Sequence, residues 1–532
     1  MSTQHLPLWE SRSSEIFGPA FGGPALVETI RRIREPVWVV RSPDGLRLGL
    51  RLGGAPAADA VANLPAIYPE WLGERAFLEA HAVRFPYVVG EMARGIATAD
   101  MVIAAGGAGL LGFFGAAGLA LPEIERNLHR IAHAASTKAW SWGSNLIHSP
   151  TDPALEAATA DLYVRCGVRR VSASAFMALS PSVVRYAFHG VRIAPDGTVT
   201  RANSVFAKVS RPEVAAQFMA PPPAAMLDTL VANGALTAQE AEIARHLPVA
   251  EDIIAEADSG GHTDNRPLPV LIPLLMAERD RAMQRFGYAR AIRVGAAGGI
   301  GSPAAVASAL ALGAAFVCTG SVNQACVESG LSESARAMLA EASSTDVAMA
   351  PSADMFELGV KVQVLKKGTM FAMRAQRLYD IYHRAGGLDD LSAEERGQLE
   401  RDIFRAPLDQ IWNETRDYFA ARDPAQVERA AREPRHKMAL VFRWYLGRSS
   451  RWPIEGAADR RLDYQMWCGP AMGAFNDWAA GSFLAAPANR TVVQVARNLL
   501  EGAAVCTRAQ HCRAAGLAVP TEAFHFSPRP LT

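Results

Sequence analysis

The stretch from Ile253 to Ser321 constrains this chain most. It opens with IIAEADSGGHTDN, continues through IRVGAAGGIGSPAAVASALALGAA and ends in FVCTGS. Three short apolar runs each end in a glycine-rich or hydroxyl-rich turn, and two of those turns lead into helical patterns. Strand, loop and helix in repetition is the grammar of a parallel α/β barrel. In such a barrel the reactive groups stand at the carboxyl ends of the strands, where these glycines and His262 fall.

The same grammar extends upstream. Apolar runs at 86–90, 110–114, 140–147, 168–175, 204–209, 252–257, 292–296 and 315–319 read as eight strands, nearly all followed by a helical pattern. That count and spacing match a TIM (β/α)8 barrel over 81–330, with a helical insertion near 220–248 behind Pro221-Pro222-Pro223. Ahead of it, VWVVRSPDGLRLGLRLGG alternates apolar positions around a Pro-Asp-Gly turn, so residues 1–80 are expected to form a small β-containing cap. Residues 331–532 are mainly helix-forming, with a loop expected at 346–354, a basic patch at Lys361, Lys366 and Lys367, and a Trp-rich tail expected to serve packing.

Half the residues are hydrophobic, and 54 Lys and Arg against 53 Asp and Glu leave a net charge of +1, which excludes a basic nucleic-acid footprint. Six scattered cysteines without a CxxC pair read as thiols in a reducing compartment rather than disulfides or a zinc site. The first residues show neither a basic nor an apolar signal region, so a cytoplasmic protein is expected. Met101–Leu121 is uncharged and long enough to cross a bilayer, but it holds six glycines, each costing a helix about 1 kcal/mol. A buried helix, a turn and a buried strand account for it without a membrane.

Two motifs carry chemistry. GAAGGIGSP places Gly298, Gly299 and Gly301 between a strand and a helix, where backbone N–H groups and the helix dipole favour a phosphate. Taken alone it is neither GxGxxG nor a Walker loop, and a tight turn explains it equally well. Gly320 and Ser321 at the next strand end supply a second set of small-residue amides, the arrangement TIM barrels use for phosphate after strands seven and eight. ADSGGHTDN places His262 just past a strand, as a general acid/base or as a loop histidine bonded to the rim. Asp258, Asp264 and Asn265 are candidates to orient it. Lys208, Asn145 and His148 at strand ends are either polar contacts to a cofactor or rim residues.

These motifs resemble the flavin-dependent nitronate monooxygenase and enoyl reductase group, which carries a GGH loop, then AAGGI, then a TGS strand end. TGSVNQACVESG, MAPSADMFELGVKVQVLKKGTMFAMRAQRLYD, HKMALVFRWYLGRSSRWP and DYQMWCGPAMGAFN are similar to PfaD-type proteins, the trans-acting enoyl reductases of polyunsaturated fatty acid and polyketide synthases. The resemblance implies an FMN-bound barrel that uses NADPH to reduce an α,β-unsaturated thioester on an acyl carrier protein, and leaves room for a homodimer. It implies that Gly90, Met92 and Ala93 lie along the flavin, with Asn145 and Lys208 at neighbouring strand ends. It gives Gly298, Gly299, Gly320 and Ser321 the phosphate, and His262 the place of the GGH histidine, which acts as a base in nitronate oxidation. A nitronate monooxygenase and a non-catalytic carrier-docking scaffold are the competing readings; the absence of a GxSxG elbow disfavours malonyl transfer.

Overall fold

A computed structural model describes residues 18–54, 58–150 and 152–532. Eight parallel strands close into a barrel: β1 (Tyr87–Val89), β2 (Leu111–Phe114), β3 (Trp142–Ile147), β4 (Arg170–Ser174), β5 (Ser204–Val209), β6 (Asp252–Glu256), β7 (Arg293–Ala297) and β8 (Val317–Thr319). β8 returns to β1 with Val317 opposite Tyr87 and Thr319 opposite Val89. Each strand lies within a residue or two of the run that announced it. Strands covered on both faces read as continuous apolar segments rather than alternating ones, and β1, β2 and β7 are buried along their whole length.

Aromatic rings fill the barrel interior. Phe77 and Phe316 stack at 4.3 Å, and Phe113 meets Phe206 edge-on at 5.1 Å. Glycines in the strands make room for them: a Cβ on Gly143 would lie 2.4 Å from the Phe113 ring, and one on Gly295 2.4 Å from Phe316. The helix Arg75–His81 closes the amino end of the barrel and brings His81 to a buried polar cluster. There Arg293 donates to both oxygens of Asp252 at 2.7 Å, and His81 Nε2 lies 2.9 Å from Asp252 Oδ2. Arg170 donates to His81 Nδ1 at 3.1 Å, so the Nε2–H of the imidazole faces Asp252. This floor leaves the carboxyl end open.

The Met101–Leu121 segment splits as expected into the helix Ala99–Gly107, a turn and β2. Among the described residues no helix is long and apolar enough to cross a membrane. The Pro-Asp-Gly turn joins antiparallel strands Val37–Arg41 and Leu48–Leu52, and Ala60–Leu64 adds a third on the other side. That sheet and the helix Gly23–Arg31 share an apolar cluster with the helix Val492–Ala514, Val39 and Leu50 of the sheet and Leu26 and Ile30 of the short helix joining Ala509 and Cys512. The same long helix lies on the barrel helix Pro303–Ala311, where a Cβ on Gly502 would meet Pro303 at 2.5 Å.

One expectation fails. The segment 346–354 is not a loop: Val347–Pro351 and Lys361–Leu365 form an antiparallel hairpin, and Gly261–His262 pairs with its second strand. Val362 lies opposite His262, so the hairpin carries the histidine's backbone.

Candidate functional site

All ten residues that the resemblance assigns to the site line a single cavity of about 470 Å³ at the carboxyl ends of the strands. Gly90, Met92 and Ala93 come from the loop after β1, Asn145 from β3, Lys208 from β5, Gly298 and Gly299 from the loop after β7, and Gly320 and Ser321 from that after β8. His262 faces the same space from its short strand.

The β7 and β8 loops form a cradle. Gly298 has φ 84, and a Cβ there would lie 2.6 Å from the Ala257 carbonyl carbon. Gly299, φ 70, and Gly320, φ −123, face open space with no atom within 4 Å of a Cβ position. Ser321 Oγ accepts from the Gly469 N–H at 3.1 Å, which leaves its O–H to donate. Ser302 caps the helix that follows the β7 loop by accepting from the Ala305 N–H. Small residues, open backbone and a helix start make a place that accepts an anion.

Lys208 is clamped. Its Nζ lies 2.9 Å from Glu91 Oε1 and 3.4 Å from Glu256 Oε1. Burial alone would lower its pKa, but the two carboxylates outweigh that and hold it above the ordinary lysine value. Glu91 Oε2 and Gln324 Oε1, both on cavity residues, are buried without a hydrogen-bond partner. Asn145 Nδ2 donates to Ser172 O at 3.1 Å and Ser174 Oγ at 2.7 Å, which fixes its amide. His148 turns away to Glu156 Oε2 at 2.9 Å and does not line the cavity.

His262 Nε2 pairs with Asp354 Oδ2 at 3.3 Å. Burial acts to lower the imidazole pKa, and the Asp354 hydrogen bond and charge override it, so the net shift is upward. Asp354 is held well below the usual carboxylate range: burial opposes this, but His262 and a hydroxyl from Ser352 outweigh it. The residues expected to orient His262 do other work. Asp264 accepts from Arg211 and Ser210, while Asp258 accepts from Gln363 and Asn265 at 2.8 Å each.

Sequence reasoning missed Asp354, Glu91, Glu256, Arg94 and Trp467, all of which line the cavity. Glu91 and Glu256 carried the signal that singled out Lys208, a charge at the end of an apolar strand. Trp467 corrects the view of the Trp-rich tail as packing alone: its segment runs beside the hairpin, with Cys468 N donating to Gln363 O at 3.3 Å.

The sequence pattern of the nitronate monooxygenase family matches residues 75–387, and that of the inserted helical domain of [acyl-carrier-protein] S-malonyltransferase matches 385–464. Leu446 and Ser450 of the latter segment line the cavity. The enoyl reductase domain of MlnA from the macrolactin cluster of Bacillus amyloliquefaciens superimposes with a TM-score of 0.80 at 38% identity, over 84% of this chain and 99% of that one. A polyunsaturated fatty acid synthase protein from Thraustochytrium sp. is 47% identical over 82% of this chain. The polyketide biosynthesis protein PksE of Bacillus subtilis is 42% identical, again over 82%. The chain spans 30% of the first of these two proteins and 57% of the second. With its closed parallel barrel, its glycine-marked cradle and these likenesses, the chain belongs to the nitronate monooxygenase family of TIM-barrel oxidoreductases, in the branch that holds the MlnA enoyl reductase domain and the polyunsaturated fatty acid and polyketide synthase proteins.

Proposed function

We propose that this protein is an FMN-dependent enoyl reductase that acts in trans, using NADPH to reduce α,β-unsaturated acyl thioesters on the acyl carrier protein of a polyketide or polyunsaturated fatty acid synthase. The observation that carries the reading is a histidine paired with Asp354 over the same cavity as the glycine cradle. The cavity fits FMN: Gly298, Gly299, Gly320 and Ser321 would hold the phosphate, with open space where side chains would otherwise stand. Gly90, Met92, Ala93, Asn145 and Lys208 would border the ring. Glu91 Oε2 and Gln324 Oε1, buried and unpartnered, are acceptors of the kind ring N–H groups satisfy.

When bound, the flavin supplies hydride transfer from NADPH to the β-carbon of the enoyl thioester. The remaining steps fall to the chain. Reduction needs one proton at the α-carbon, and His262 in its protonated form gives it from Nδ1, since Nε2 faces Asp354, directly or through one water. Asp354 raises the imidazole pKa and steadies the imidazolium. Lys208, paired with Glu91 and Glu256, would place a positive charge and hydrogen-bond donor beside the bound group. The barrel wall and, from the 446–467 segment, Leu446, Ser450, Gln465 and Trp467 line the space for the reacting carbons. Hydride and proton together add two hydrogens across the double bond and leave NADP.

A purified, FMN-reconstituted sample reduced anaerobically with NADPH and then given a carrier-bound crotonyl-type thioester is expected to reoxidise, with the acyl chain gaining two hydrogens by mass spectrometry. No reoxidation and no mass change would sink the assignment. The family match over 75–387 favours one second reading, a nitronate monooxygenase. That chemistry uses the histidine as a base; oxygen uptake with an alkyl nitronate, and none with the enoyl thioester, would select it.

A further inference from the structure

Arg94 stands in the loop after β1 with φ 59, a left-handed backbone that a non-glycine residue adopts at a cost of about 1 kcal/mol. Backbone strain of this kind persists where the surroundings require a side chain at a given place. The loop is tied on both sides, with Arg94 N donating to Ala117 O at 2.7 Å and Gly95 N to Gly115 O at 2.9 Å. The guanidinium then enters the cavity wall. It donates from Nη1 to Gly447 O at 3.2 Å and lies 5.8 Å from the centre of the Trp467 ring. Among the described residues it has no carboxylate partner, and its other N–H groups have no acceptor. Burial, with Arg451 next in effect, pushes its pKa down to about 10, and the smaller upward pull of Tyr418 and Asp354 does not offset them. Arg451, exposed nearby, has no carboxylate partner among the described residues either. Every other cation of the cavity is matched: Lys208 by two glutamates and His262 by Asp354.

We propose that Arg94, backed by Trp467 and with Arg451 at the rim, is the anchor for the phosphate of a mobile reactant, a ligand distinct from the group held by the β7 and β8 loops. A guanidinium fixed at one N–H and set near an aromatic ring has its remaining donors free as a fork, which suits two oxygens of one phosphate. The anchor lies where the β1 loop meets the 446–467 wall, on a different loop from the β7 and β8 glycines. It rests on the reading above, which supplies two phosphate-bearing reactants: the pantetheine phosphodiester of an acyl carrier and the phosphates of NADPH.

The test uses the whole chain loaded with FMN, as wild type, R94A, R94Q and R94K, and reads binding as well as turnover. Calorimetric titration with NADP and with 4′-phosphopantetheine is expected to lose roughly 10- to 100-fold in affinity for one of them in R94A and R94Q. R94K recovers part of it. Kinetics identify the source. A KM rise confined to the carrier-bound thioester, with an N-acetylcysteamine thioester unaffected, marks the carrier phosphate; a rise confined to NADPH, with NADH unaffected, marks the nucleotide. Unchanged affinity for both ligands in R94A overturns the proposal, as does R94Q with wild-type affinity, which would leave Arg94 only the Gly447 tie. Loss of FMN alone overturns it as well. If the wild type reduces no enoyl thioester yet R94A still loses affinity for a phosphate ligand, the anchor stands and the reductase reading falls.

Discussion

The pairing of His262 with Asp354 gives the site a pH dependence with a defined sign. The folded histidine has a raised pKa, so the pair's stabilisation is complete below the ordinary value near 6.5 and is lost as pH rises through the raised one. In its proposed role as proton donor, His262 supports the enoyl half-reaction over the same interval. Stopped-flow reoxidation by the enoyl thioester, followed from about pH 5.5 to 9, is expected to slow on the alkaline side. In D354N that fall moves to lower pH, because the Asp354 charge that outweighs burial is gone and only Glu256 still opposes it, and H262A lowers the rate about 100-fold with hydride transfer from NADPH intact. An alkaline limb that stays put in D354N would remove the acid role. Two glycines of the cradle separate affinity from stability. Gly320 has φ −123 and open space around its Cβ position, so G320A fills the cradle without strain and is expected to weaken FMN roughly tenfold at constant Tm. At Gly301 a Cβ would lie 2.0 Å from Ala471 O, so G301A is expected to lower Tm first.

The hairpin Val347–Pro351 with Lys361–Leu365 is the element on which the histidine depends, and it is the element the sequence concealed. The barrel strands announced themselves because each is a short apolar run ended by glycine or a polar residue and followed by a helical pattern. The hairpin lies among helix-forming segments, and its first strand, VAMAP, is too weakly patterned to stand out. His262 was legible from its Gly-Gly-His setting; Asp354, Trp467 and Gln363 were not, since only long-range pairing brings them to it. Local periodicity carries no record of such a contact. Gln363 makes the dependence measurable. It is 5% exposed, and its Nε2 donates to Asp258 Oδ1 at 2.8 Å and Ser259 O at 2.7 Å, which braces the loop before His262. Q363A is expected to cost about 2 kcal/mol by stranding those buried acceptors. It should also slow the enoyl half-reaction more than the NADPH half-reaction. Equal slowing of both by stopped flow would assign Gln363 to stability alone.

At the scale of the whole molecule the two ends of the barrel have separate duties. The carboxyl end gathers strained, glycine-rich and partly unpartnered groups around a cavity, while the amino end is plugged by Phe77 and His81 and locked by Asp252. That division follows from the fold, because strand direction sends every loop after a strand to the same side. Asp252 is fully buried, yet Arg293 and His81 overcome the burial and hold its carboxyl well below the ordinary carboxylate range. The sign is opposite to that of His262. A lowered folded pKa contributes stability above the unfolded value near 3.9, and that contribution is lost as pH falls through the folded one. Removing the carboxylate leaves Arg293 buried without its partner, which costs about 3 to 5 kcal/mol and lowers Tm by roughly 10 °C. D252A is therefore expected to melt early at neutral pH and to lose less stability than the wild type on acidification, while its FMN affinity at a temperature where it is folded stays at the wild-type value. Calorimetric melts across pH, paired with flavin fluorescence titration, check both halves. A variant that keeps its Tm, or that loses FMN in proportion to its stability, would show that the two ends are coupled rather than separate.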